Sequence, residues 1–94
     1  MAAHVKIYTT TWCGYCHAAL RLLRKKGVSF EEISAENLET RRWLRQTTGR
    51  GTVPQIFIDG TAVGGYTDIR ELDEQGELDR LLAGDQRQGS SVSG

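Results

Sequence analysis

The chain reads as an α/β domain, a four-stranded mixed sheet flanked by helices on both faces. Two observations predict this. Stretches of two-residue and 3.6-residue periodicity alternate as strand, helix, strand, helix, strand, strand, helix, helix. The first two strands, joined through a helix, must run parallel with a right-handed crossover. Asp59-Gly60, set between the last two strand-like runs, is a type I′ hairpin signal and makes that pair antiparallel.

Each element has its own warrant. His4-Val5-Lys6-Ile7-Tyr8-Thr9 is β-branched and aromatic, a short first strand. Ala18 to Lys26 carries apolar residues at helical spacing until Gly27 stops it. Val28 to Ile33 alternates imperfectly and predicts a strand near an edge. Glu36 to Thr48 is a charged helix with Leu38 and Leu44 as its inward positions and Gly49 beyond its end; Trp43 fits that stripe poorly. Thr52 to Ile58 is the third strand, with the only proline, Pro54, near its start, and Thr61-Ala62-Val63 is the fourth. After Gly64-Gly65, Thr67 or Asp68 is expected to cap a helix through Ile69 and Leu72, and Gly76 separates it from a short last helix around Leu78, Leu81 and Leu82. Residues 1–83 are read as one folded domain and residues 84–94, rich in Gly, Ser, Gln and charge, as a flexible tail.

At 94 residues there is room for one modest core. Twelve basic and twelve acidic residues cancel, which removes the electrostatic argument for nucleic acid or an anionic membrane. No run of eighteen apolar residues occurs, and Met1-Ala2-Ala3-His4 leads into the first strand without a signal-peptide pattern, so a cytoplasmic address is expected; the chain is also expected to be a monomer.

The two cysteines lie together in Thr11-Trp12-Cys13-Gly14-Tyr15-Cys16-His17, at the expected strand-to-helix junction. So short a spacing closes too small a loop to be a useful staple, which points to chemistry. The first helical turn offers unpaired N–H groups and about half a positive charge, which favour a thiolate at Cys13 over its thiol. Positions three apart share a helix face, so Cys16 sits one turn further in. Cys13 is thus the candidate nucleophile and Cys16 the resolving thiol. A zinc knuckle needs four ligands, and only His4 and His17 are available besides the cysteines, so no metal site is expected. His17 reads as a solvent-facing residue. Trp12 and Tyr15 are expected to border the surface where substrate docks.

Tyr8-Thr9 before Cys13-Gly14-Tyr15-Cys16, then Thr52-Val53-Pro54, then Gly64-Gly65-Tyr66-Thr67-Asp68, resembles the dithiol glutaredoxins of the thioredoxin fold. The resemblance runs from about His4 to Leu82. It implies a glutathione-dependent thiol-disulfide oxidoreductase acting on protein–glutathione mixed disulfides and protein disulfides. Glutathione would be a co-substrate, with no tightly bound cofactor. It implies that Pro54 is cis, that the Val53 backbone pairs with glutathione as an added strand does, and that Thr67 and Asp68 receive the γ-glutamyl carboxylate and amine. Arg41, with Arg50 as an alternative, would meet the glycyl carboxylate, and Tyr15, Thr52 and Tyr66 complete the implied glutathione site. A family potential of roughly −200 to −230 mV would keep the pair reduced in a glutathione-buffered cytosol.

Two departures keep other readings open. Thr10 stands where the family commonly has lysine, and Gly14 where it commonly has proline. Trp12-Cys13-Gly14-Tyr15-Cys16 is also similar to mycoredoxins, which use another small thiol. The remaining alternatives are a [2Fe-2S] dimer held through Cys13 and two glutathione thiols, and a dedicated donor recharged by thioredoxin reductase.

Overall fold

In the computed structural model, which describes residues 3–84, eight elements follow in the expected order. They are β1 (Val5–Thr9), α1 (Gly14–Lys25), β2 (Glu31–Ser34), α2 (Leu38–Thr48), β3 (Gln55–Ile58), β4 (Thr61–Gly64), α3 (Tyr66–Glu74) and α4 (Glu77–Leu82). The sheet order is β2-β1-β3-β4, with β1 and β2 parallel and the other pairs antiparallel. Asp59 and Gly60 both take positive φ, 52° and 82°, as a type I′ turn requires.

Two-residue alternation sorts the sheet into two faces. Val5 and Ile7 of β1, with Ile56 and Ile58 of β3, pack against Ala19, Leu20 and Leu23 of α1, Ile69 of α3, and Leu78 and Leu82 of α4. On the other face Phe57 joins Ala35 and Leu44 beneath α2, with Tyr8 and Val53 at the edge. Trp43 belongs to this face. Its ring lies 5.6 Å from Tyr8 and 5.8 Å from Phe57, and those two rings are 5.6 Å apart, so three aromatics cover the sheet beside α2. The buried Gln55 side chain shares this side of β3, and its Nε2 has no partner among the described residues.

Several expected boundaries move, each for a physical reason. β2 is shorter than Val28–Ile33, because pairing with β1 starts only at Lys6 opposite Glu31. Val28 and Phe30 pack on the core edge instead, with the Arg24 guanidinium 5.9 Å from the Phe30 ring. β3 starts at Gln55 rather than Thr52, since Pro54 brings no N–H to a ladder. α2 begins at Leu38 because Asn37 takes the cap, its Oδ1 accepting from Thr40 N at 2.7 Å. Leu38 is therefore a first-turn residue and 76% exposed, which overturns its inward assignment; Leu44 is fully buried. α3 starts with Gly65 as its cap, so neither Thr67 nor Asp68 is the capping residue. Asp68 sits at the third helical position and its Oδ2 accepts from Gly65 N at 2.9 Å.

The end of α1 is fixed to the helices that follow. Lys26 Nζ forms an ion pair with Asp73 and a second with Asp79 at 3.0 Å, and hydrogen bonding to Asp73 foremost raises its pKa. The expected tail beyond Gly84 lies outside the described residues.

The two leucines of α2 separate burial from helix propensity. Leu44→Ala should cost about 2–5 kcal/mol in denaturant unfolding, and Leu38→Ala less than about 0.5 kcal/mol. Equal losses would contradict the assigned faces.

Candidate active site

The two cysteines are placed by the junction of β1 and α1. Cys13 has extended backbone angles and caps α1 with its own side chain, Sγ accepting from Cys16 N at 3.1 Å. The cap is the position where a serine or aspartate oxygen usually satisfies a free amide, and here sulfur does so. The half-buried Cys13 thiol also donates to Val53 O at 3.8 Å. Cys16 lies one turn below and is 1% exposed. Burial, reinforced by the hydrogen bond with Cys13, pushes its thiol from the ordinary 9.0 up to about 12. Both sulfurs are free thiols.

A chain of contacts holds the loop before Cys13. Ala35 N donates to Thr9 O at 2.8 Å, extending the β1–β2 pairing. Thr11 N donates to Glu36 Oε2 at 2.6 Å. Hydrogen bonds from Thr11, first the backbone and then the side chain, lower the Glu36 pKa, and the Arg41 charge adds to this. Arg41 itself donates through Nε to Ala35 O at 3.1 Å. This bond ties it to the segment before α2, and it stands with Leu38, Arg42, Arg45 and Gly51 around a concavity of about 270 Å³.

A second wall is built where β3 meets α3. The Val53–Pro54 peptide is cis. A Cβ at Gly65 would meet Pro54 O at 3.2 Å, so glycine lets the start of α3 approach β3. Gly64 has φ +110°, and a Cβ there would overlap the Asp68 carboxylate. The Gly64-Gly65 pair thus makes room for Asp68, which also pairs with Arg50 Nη2 at 3.3 Å. Thr67 is exposed in the first turn of α3, and Thr52 is exposed ahead of Val53. Tyr15 stacks on Tyr66, with ring centroids 6.3 Å apart and planes at 26°. Trp12 is 95% exposed.

The expected residues thus gather in part: Cys13 with Cys16 and Val53, Tyr15 with Tyr66, Asp68 with Gly64 and Gly65. Arg41 holds Ala35 O through its Nε, and Arg50 touches Asp68 directly. The Glu36 anchor had no sequence signal, because it joins residues 25 apart without a motif. Among the described residues no group of three or more His, Cys, Asp or Glu side chains could hold a metal ion.

A family model described as Glutaredoxin matches residues 5–63. The chain belongs to the glutaredoxin family. Glutaredoxin 3 of Escherichia coli strain K12 is 49% identical over 81 residues, covering 85% of this chain and 98% of that protein. The solution structure of glutaredoxin from Brucella melitensis superposes with a TM-score of 0.80 at 43% identity, over 87% of this chain and 90% of the other. The crystal structure of a buckwheat glutaredoxin–glutathione complex gives 0.81 at 28% identity, over 88% and 79%. As a glutaredoxin with the thioredoxin fold, the chain is a thiol-disulfide oxidoreductase. None of the described helices is long and apolar enough to cross a membrane.

The burial of Cys16 sets a sign for stability against pH. Below the ordinary thiol range, folded and unfolded chains both hold the Cys16 proton. From pH 9.0 upward the unfolded chain releases it first, so stability falls as pH climbs toward about 12. Urea unfolding between pH 8 and 11 should show this loss, and Cys16→Ser should flatten it. An unchanged alkaline slope in Cys16→Ser would count against a buried neutral thiol.

Proposed function

We propose that the chain is a glutathione-dependent reductase of protein–glutathione mixed disulfides and protein disulfides, with Cys13 as nucleophile and Cys16 as resolving thiol. The observation that carries this reading is the bond from Cys16 N to Cys13 Sγ, with the second sulfur sealed beneath the first. An N–H aimed at sulfur strengthens as the sulfur gains charge, so it favours the thiolate that attacks and the thiolate that later leaves.

In the first step the Cys13 thiolate attacks the glutathione sulfur of a mixed disulfide. The old S–S bond breaks, its electron pair leaves on the protein sulfur, and that sulfur takes a proton from solvent. A new disulfide joins Cys13 to glutathione. A second glutathione thiolate then attacks the glutathione sulfur, giving oxidised glutathione and free Cys13 thiolate. On a protein disulfide the Cys13 thiolate first forms a mixed disulfide with one substrate sulfur and releases the other, which takes a proton from solvent. Cys16 then loses its proton and attacks the Cys13 sulfur, forming the Cys13–Cys16 disulfide and expelling the second substrate sulfur. Two glutathione thiols in turn reduce that disulfide to the dithiol, leaving as oxidised glutathione. Burial raises the Cys16 thiol, so giving up that proton is part of the cost of the Cys16 step.

Glutathione is supported as the small thiol by the residues around Cys13. Val53 carries a backbone carbonyl beside the sulfur, the first turn of α3 offers N–H groups near Thr67 for a carboxylate, and Asp68 offers a partner for an ammonium. Tyr15 and Tyr66 would flank the tripeptide, and Thr52 and Pro54 shape the approach to Val53. For the glycyl carboxylate, Arg41 would offer its Nη groups while its Nε stays on Ala35 O. The complex described for the buckwheat relative adds support for glutathione. The reading takes the domain as residues 1–83, acting as a monomer in a reducing cytosol.

Incubated with oxidised glutathione, Cys16→Ser should gain one glutathionyl group on Cys13, seen in the intact mass. A reactive Cys13 that forms no adduct would remove glutathione from this account. In turnover with glutathione, Cys13→Ser should abolish activity, while Cys16→Ser should keep reduction of mixed disulfides within a few-fold and lose that of protein disulfides. Equal loss from both substitutions would contradict the monothiol route.

A further inference from the structure

The chain is neutral as a whole, but its charges are unevenly placed. Helix α1 and its cap carry Arg21, Arg24, Lys25 and Lys26 and no carboxylate. Some cations have carboxylate partners, Arg50 with Asp68, Arg70 with Glu74, Arg80 with Glu77, and Lys26 with Asp73 and Asp79, whereas Arg41, Arg42 and Arg45 of α2 gather around a separate concavity. Among the described residues no carboxylate lies within ion-pair distance of Arg21, Arg24 or Lys25, and all three are exposed. They are not scattered. Together with Ala18, Leu22 and Tyr66 they line one concavity of about 580 Å³ along α1. Its far end is cationic, its floor is apolar, and its near end is Tyr66, the ring stacked on Tyr15 two residues after Cys13.

We propose that this trough is the docking track for the protein half of a mixed disulfide, and that it selects substrates with acidic residues a few positions from the reacting cysteine. The inference rests on the thiol-disulfide chemistry of Cys13 argued above and adds a substrate class to it. Geometry sets the spacing. Arg21 and Lys25 lie eight and twelve residues along α1 from Cys13, about 12 and 18 Å at the helical rise. An extended substrate covers ~3.3–3.6 Å per residue, so its carboxylates fall about three to five residues from its cysteine. Leu22 and Ala18 receive the apolar parts of the same segment, while glutathione lies on the β3–α3 side. The occupant is an acidic segment and not a basic one, because three cations without a carboxylate partner and no anion line it.

The test uses two ten-residue peptides, each glutathionylated on a single cysteine. One has Asp and Glu three to five residues away and the other has Asn and Gln there. The full chain should turn over the acidic peptide with a kcat/KM about tenfold higher at low ionic strength, and added salt should shrink the ratio toward one. The double substitution Arg21→Glu with Lys25→Glu should invert the preference and leave turnover of the cysteine–glutathione mixed disulfide within about twofold. Arg21→Gln with Lys25→Gln, a milder change, should bring the ratio between the two peptides to about one and leave that small-substrate turnover equally unaffected. Equal kcat/KM for the two peptides, or a ratio that either double variant leaves intact, would overturn the proposal. Failure of the small mixed disulfide itself in the unaltered chain would instead indict the glutathione reading.

Discussion

The bond from Cys16 N–H to Cys13 Sγ is the constraint on which the rest of this site depends. A helix must leave its first amides unpaired, and this chain assigns one of them to sulfur. The consequence is chemical as well as structural. The same bond that starts α1 holds the nucleophile in one orientation, and charge on that sulfur makes the bond stronger. Because the capping residue and the donor are three apart, the second cysteine is carried under the first without further design.

The surroundings serve to keep that cap in register. Thr9 is locked to Ala35, and Thr11 is held by Glu36, so the short loop between β1 and α1 is fastened to the β2–α2 connection. Lys26 fastens the opposite end of α1 to α3 and α4. The sheet supplies the remaining wall, with the Val53 carbonyl beside Cys13 and Gly65 against Pro54 O. The helix that bears the cysteines is therefore held at both ends, while the surface around Trp12 and Tyr15 stays open to a partner.

Most of the fold was legible because local and global signals agree. The two-residue alternation of Val5 and Ile7, the Asp59-Gly60 turn and the glycine after α2 each have a one-to-one physical meaning, and all three were read correctly. Leu38 was misread because hydrophobicity says nothing about a first turn whose cap belongs to Asn37. Trp43 could not be placed from helical spacing, since its partners Tyr8 and Phe57 come from two strands. The pairing of the cysteines with a helix start was visible in the motif and its flanks. Contacts outside regular elements, such as Thr11 with Glu36, Arg41 with Ala35 and Arg50 with Asp68, were not, because nothing in the sequence specifies which partner a charged side chain meets.

The central claim concerns one N–H, and it is tested by removing that atom alone. Semisynthesis can replace the Tyr15–Cys16 amide by an ester, which keeps both side chains and deletes the donor. The account predicts that Cys13 in the ester protein reacts with iodoacetamide at pH 7 about tenfold more slowly or worse, as loss of a charge-assisted hydrogen bond requires, with the circular dichroism of the fold retained. A folded ester protein alkylated at the unaltered rate would contradict it.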